Sequence, residues 1–238
     1  MQSCFDEVKK NFGFGCMRLP MKGKEVDFEE TSKMVDMFLA NGFNYFDTAH
    51  GYIGGKSELA LKECLTSRYP REAYSLTDKL TDSYFKTETD IRPFFESQLE
   101  ACGVDYFDFY LMHAQNADNF KKFKACRAYE TAFALKAEGR IRHVGLSFHD
   151  RAEVLDQILT EYPQIEVVQM PWWTATAAPS VRPSGRSTCS STARTEQNTA
   201  EQKALHGGRL LFLSLCPAGK WHFRHIYPVC KIRVQVFH

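Results

Sequence analysis

The sequence predicts an α/β fold built from parallel βα units. Over the first 170 positions, short apolar runs alternate with amphipathic segments at a repeat of about 30 residues. The runs are apolar on both faces, as strands are when helices cover each side of a sheet. They are Phe12–Met17, Phe43–Asp47, Tyr74–Lys79, Phe107–His113, His143–Phe148 and Glu166–Met170.

Most of the intervening segments carry apolar residues at three- and four-residue spacing. Asp27-Phe28-Glu29-Glu30 reads as a capping box, followed by a buried stripe of Met34, Val35 and Phe38 and a stop at Gly42. A second helix is expected over Ser57–Leu65. A third starts near Thr87, buries Ile91, Phe95, Leu99 and Cys102, and ends at Gly103. A fourth spans Phe120–Glu138 and stops at Gly139. A fifth opens on a second capping box, Asp150-Arg151-Ala152-Glu153, and buries Val154 and Ile158.

Periodicity alone does not separate an open doubly wound sheet from a barrel. The first βα turn argues against a dinucleotide-binding open sheet. Gly13-Phe14-Gly15-Cys16-Met17-Arg18 lacks the third glycine of G-x-G-x-x-G, and no helix follows at once. The chain has 238 residues, 44% hydrophobic and 25% charged, with net charge +1, which excludes collagenous and disordered classes and allows one barrel. No apolar run is long enough to span a bilayer. The N-terminal segment lacks a signal-peptide pattern, so a cytoplasmic protein is expected. The eight cysteines include no C-x-x-C pair, so free thiols are expected in place of zinc or iron–sulfur ligation.

Titratable residues gather at the C-terminal ends of the expected strands. Asp47 ends the second, with Tyr52 in the loop that follows; Lys79 ends the third and His113 the fourth. Ser147 and His149 end the fifth, and Gln169 lies on the sixth. In a barrel such ends converge on one mouth. Each residue has an ordinary structural use, as turn cap, packed stem or satisfied imidazole; it is their joint placement that points to chemistry. A Lys ammonium beside a Tyr would lower the phenol pKa toward neutral. Asp47 would keep the Lys charged, and a His could orient a carbonyl. Such a set delivers a proton to a carbonyl oxygen, while hydride must come from a cofactor.

Four segments carry a resemblance: Gly13–Arg18, Asn44–Tyr52, Asp105–His113 and Gly139–Asp150. Together they resemble the aldo-keto reductase family over about residues 12–170. The resemblance implies a (β/α)8 TIM barrel and NADP(H)-dependent reduction of a small-molecule aldehyde or ketone. It implies a tetrad of Asp47, Tyr52, Lys79 and His113, with Tyr52 as proton donor, and Ser147 and Gln169 on the nicotinamide carboxamide. Many members have Asn where Phe148 stands. The Ser-Phe-His-Asp version resembles a branch whose longer members carry an iron–sulfur extension, for which no cysteine cluster is present.

Past residue 170 the composition changes. Residues 171–238 hold nine Lys/Arg against two acids, Glu196 and Glu201, leaving 21 basic and 27 acidic residues in the first 170. Ten of the 22 residues over Thr174–Thr195 are Ser or Thr, and all three tryptophans lie in the tail. Only Arg209–Cys216 and Lys231–Phe237 read as strands. The shift predicts a changed reading frame or an unrelated segment joined near Gln169–Pro171. The division is then an incomplete barrel over 1–170 and a non-family tail over 171–238. On that expectation the last two strands are missing, sheet edges stay open and cofactor binding is lost; a divergent tail that closes the barrel is the alternative. The tail's scattered charges do not form a nucleic-acid patch.

Overall fold

A computed structural model describes residues 5–10, 12–170, 211–214 and 235–237. Its elements run β1 (Phe12–Gly15), β2 (Met21–Lys22), β3 (Glu25–Val26), α1 (Phe28–Ala40), β4 (Tyr45–Asp47) and α2 (Lys56–Leu61). They continue through β5 (Ser75–Leu80), α3 (Glu88–Cys102), β6 (Phe107–Gln115), α4 (Ala117–Ala125) and α5 (Ala128–Ala137). The last are β7 (Ile141–Phe148), α6 (Ala152–Glu161), β8 (Val167–Met170), β9 (Leu211–Ser214) and β10 (Gln235–Phe237). Apart from the β2–β3 hairpin, eight strands form one sheet in the order β10-β1-β4-β5-β6-β7-β8-β9, every ladder parallel.

All six apolar runs of the first 170 residues form strands, in sequential order. Two short strands from the tail lie at the ends of this six-strand run. β9 pairs with β8 through Val167↔Leu211 to Met170↔Ser214, and β10 pairs with β1 through Phe12↔Gln235 to Phe14↔Phe237. These are the two tail runs that read as strands. They extend the sheet by one short strand on each side, so neither β1 nor β8 ends it. Among the described residues no ladder joins β9 to β10. The Ser/Thr-rich stretch and the tryptophans lie outside the described residues.

The helices follow their sequence signals with three instructive differences. α3 has the capping box at Thr87 and Asp90 and ends on Gly103 at φ 67°, a left-handed position that suits glycine. In α1, Asp27 caps as expected, but the buried stripe is Thr31, Val35 and Phe38, and Met34 is exposed. The single fourth helix is instead two. Asn116 caps α4 by accepting from the N–H groups of Asp118 and Asn119, and the chain breaks at Arg127, φ 52°. A straight helix that buries Phe120 and Phe123 would also bury position 127. The break turns Arg127 outward and brings Ala128, Tyr129, Ala132 and Leu135 into the core.

The second capping box is also corrected. Asp150 does not cap α6; it accepts from the N–H groups of Ala117 and Arg151 at 2.8 Å, bracing the start of α4 from the loop after β7. The expected partners of α6 do pack, with Ile158 buried and Val154 against the core. Gly145 marks a close strand contact: a Cβ there would lie 2.5 Å from Val167 O and 2.7 Å from Leu111 Cδ2. At the N-terminal end of the sheet, residues 5–10 lie across the strand starts. Glu7 O accepts from Asn44 Nδ2 and Ser75 Oγ, and the Phe5 ring packs on Phe109 and His143. Among the described residues Cys16, Cys64, Cys102 and Cys126 are free and buried, and no helix is long and apolar enough to cross a membrane.

Candidate active site

Parallel strands in one register put β4, β5, β6, β7 and β8 side by side with their C-terminal ends at one rim. Asp47 and Lys79 lie on adjacent strands and are fully buried. Lys79 Nζ donates to Asp47 Oδ1 at 2.7 Å, to Thr48 O at 2.7 Å and to Tyr52 OH at 3.3 Å. All three ammonium hydrogens are thus engaged. The other carboxylate oxygen of Asp47 accepts from Gln169 Nε2 at 2.9 Å. Burial works against the Lys79 charge, but the Asp47 carboxylate and then Tyr52 outweigh it, and the ammonium pKa is raised.

Tyr52 sits on the loop between β4 and α2, its ring 4.9 Å from Lys79 Nζ. Burial raises the phenol pKa, and Lys79 offsets only part of that rise. The expectation that Lys79 brings the phenol down toward neutral is therefore corrected: desolvation dominates, and Tyr52 keeps its proton. The turn after Tyr52 is left-handed at Ile53 (φ 53°), Gly54 (φ 63°) and Gly55 (φ 88°). A β-branched residue in that region is strained and must be held by its surroundings.

His113, on β6, packs edge-on to Tyr52 with ring centroids 6.1 Å apart. Its Nδ1 is 2.7 Å from Thr81 Oγ1. Burial, then the Lys79 ammonium and His149, lower its pKa to about 3, so the imidazole is neutral. Ser147 and Gln169 are register partners on β7 and β8. Ser147 Oγ accepts from Ala114 N at 2.7 Å, leaving its own proton free to donate.

The structure therefore brings Asp47, Tyr52, Lys79, His113 and Gln169 into one cluster, with Ser147 beside Gln169. Sequence reasoning missed a second layer behind it. Glu58, on α2, is fully buried; its Oε2 lies 2.8 Å from His50 Nδ1 and its Oε1 accepts from Gln98 Nε2 at 3.2 Å. One signal was available: Ser57, Glu58, Ala60 and Leu61 form one arc of the helix, and a carboxylate falls inside it.

A parallel βα sheet with Asp, Lys, Tyr and His clustered at its strand C-termini has the arrangement of a barrel-type α/β protein, with a candidate site at its rim. A model of the aldo/keto reductase family matches residues 11–181. The chain is 31% identical over 120 residues to an aldo-keto reductase of Mycolicibacterium smegmatis, covering 50% of this chain and 41% of that one. It is 28% identical over 145 residues to the NADH-specific methylglyoxal reductase of Escherichia coli, covering 54% and 43%. A Klebsiella pneumoniae aldo-keto reductase solved in complex with NADPH shares the fold at TM-score 0.56 and 19% identity, over 68% of this chain and 58% of that one. The chain belongs to the aldo/keto reductase family. It spans about two-fifths of the length of the curated relatives it matches.

Proposed function

We propose that the chain is a carbonyl reductase that uses NADP(H) to reduce a small aldehyde or ketone, with Tyr52 as proton donor. The observation that carries this reading is the hydrogen-bonded run Gln169–Asp47–Lys79–Tyr52, with neutral His113 against the Tyr52 ring.

The residues present fit the nicotinamide end of the cofactor. A carboxamide offers one acceptor oxygen and a donor NH2. Ser147 supplies a hydroxyl proton and Gln169 an amide oxygen, side by side on adjacent strands. The residues expected to hold the phosphates follow β8 and lie outside the described residues. When bound, the cofactor supplies the hydride.

The chain's own groups handle the proton. Tyr52 arrives protonated because burial holds its pKa up. As the proton leaves, the phenolate that forms is 3.3 Å from a permanent ammonium, so the charge develops where it is stabilised. Asp47 keeps that ammonium charged and points it, and Gln169 holds the second Asp47 oxygen. His113 Nδ1 lies 2.7 Å from the Thr81 hydroxyl; with that nitrogen as the acceptor, the Nε2–H hydrogen-bonds the carbonyl oxygen and orients it, while the transferred proton comes from Tyr52.

Methylglyoxal is a suitable first substrate, because the Escherichia coli relative is named for it. That name also specifies NADH, so both nicotinamides belong in the assay. Saturable NADPH binding by fluorescence and carbonyl-dependent NADPH oxidation are expected. Tyr52→Phe should lower kcat by about 10²- to 10⁴-fold without abolishing binding. Absence of turnover with a panel of aldehydes and ketones, or a Tyr52→Phe rate equal to wild type, would refute the proposal.

A further inference from the structure

The buried polar layer behind the site has no part in the proton delivery just described, yet it joins the two groups that perform it. Tyr52 is carried by a turn with three successive left-handed residues, Ile53 to Gly55. Gly54 and Gly55 adopt that conformation freely, but Ile53 is strained in it and must be held by its surroundings. Glu58 Oε2 holds His50, on one flank, from α2, on the other. The contact spans the turn. The His50 ring is further wedged edge-on against Tyr84 and Phe94, with centroids 4.6 and 5.1 Å away. The second oxygen of Glu58 accepts from Gln98 Nε2, and that same nitrogen donates to Lys79 O at 3.1 Å. Gln98 is fixed in turn by Tyr110 OH, 2.6 Å from its Oε1.

A buried carboxylate without catalytic use is costly unless its bonds matter. Its neighbour Asp78 has its pKa raised well above the ordinary value, first by burial and then by Glu58. Asp78 Oδ1 accepts from Lys79 N at 2.7 Å, which holds the same strand segment again.

We propose that Glu58 is a positioning residue for the rim site, clasping the Tyr52 turn through His50 and the Lys79 strand through Gln98. One side chain thereby sets the separation between phenol and ammonium. The proposal rests on the reading of Tyr52 as proton donor.

The test compares Glu58→Ala, Glu58→Gln and His50→Ala, each alone and combined with Tyr52→Phe. Glu58→Ala should lower kcat by about 10- to 100-fold with KM within about twofold. It should cause no further loss once Tyr52 is Phe. Glu58→Gln keeps an acceptor for Gln98 and a polar partner for His50, and should restore most of the rate. His50→Ala opens one arm and should fall between. A second readout needs no turnover: the Tyr52 titration, taken as ultraviolet difference absorbance between each protein and its Tyr52→Phe counterpart. Its midpoint should rise in Glu58→Ala as the ammonium drifts from the phenol. A folded Glu58→Ala protein with kcat within about twofold of wild type and an unmoved Tyr52 titration overturns the proposal. So does an equal loss in the Tyr52→Phe background. If wild type shows no turnover, or Tyr52→Phe leaves it unchanged, the functional reading fails instead, and the titration alone decides the role of Glu58.

Discussion

Replacing Lys79 by Met removes a buried ammonium while keeping most of its volume. Lys79 and Asp47 are 1% and 0% exposed and 2.7 Å apart. At an effective dielectric of about 20, that separation corresponds to about 6 kcal/mol of attraction. Taking both ions out of water costs several kcal/mol for each, so the intact pair is close to neutral for stability. The asymmetry appears when one partner goes. Lys79→Met strands a buried Asp47 carboxylate with Gln169 as its remaining side-chain donor among the described residues, and removes the donor to Thr48 O. The expected loss is about 3–5 kcal/mol, or about 6–20 °C in Tm at this chain length. Adding Asp47→Asn to Lys79→Met removes the stranded charge. The double variant should therefore be more stable than the sum of the two single losses implies, by at least about 1.5 kcal/mol. Urea denaturation of wild type, both single variants and the double variant, followed by circular dichroism, measures the cycle. Additivity within about 0.5 kcal/mol would refute the claim that Lys79 and Asp47 are a desolvated, mutually dependent pair.

Gly145→Ala should cost about 1–3 kcal/mol, read as a lower urea midpoint, because its Cβ would meet backbone Val167 O at 2.5 Å; an unchanged midpoint would show that β7 and β8 can separate freely. His143 bonds Glu7 at 2.6 Å and sits 3.4 Å from Glu166. Burial opposes all three charges, but their mutual contacts outweigh it, raising His143 above 6.5 and lowering Glu7 and Glu166 below 4.5. The carboxylate contributions are present above pH 4.5 and lost as pH falls through the folded values; the His143 contribution is present below pH 6.5 and lost as pH rises through its folded value. His143→Gln should therefore destabilise most between those two limits, by about 1 kcal/mol, with the difference shrinking in alkaline solution. A difference that stays constant from acid to alkaline pH would contradict this.

Much of the architecture could be read from local signals because those signals are themselves structural. Thr87, Asp90 and Gly103 bound α3 through bonds and a backbone angle that any helix needs. Asp47, Lys79 and His113 were legible because a strand end is where apolar patterning stops, so a charge there stands out. Other features depend on tertiary context. Arg127 carries no mark of a left-handed residue; the break follows from which faces of α4 and α5 meet the sheet. Asp150 has the sequence of a cap for its own helix, yet its carboxylate serves α4, a neighbour in space. The Tyr52 pKa was misjudged for a related reason: the ammonium was visible in the sequence, but the depth of burial was not. Glu58 looked like an ordinary polar residue because its partners come from a loop and from α3, 8 and 40 positions away.

The pairing of β10 with β1 has a consequence for the order of events during synthesis. The two strands are separated by roughly 220 residues of chain. At roughly 5–20 residues per second, the outer edge of β1 waits on the order of 10–40 s after its own emergence before its partner exists. β4 arrives early and covers one side; the other side remains a bare row of N–H and C=O groups. The nascent chain is thus exposed to strand-capturing neighbours for most of its translation. Ribosome-bound chaperones that mask a single strand edge should affect its yield more than agents that act after release.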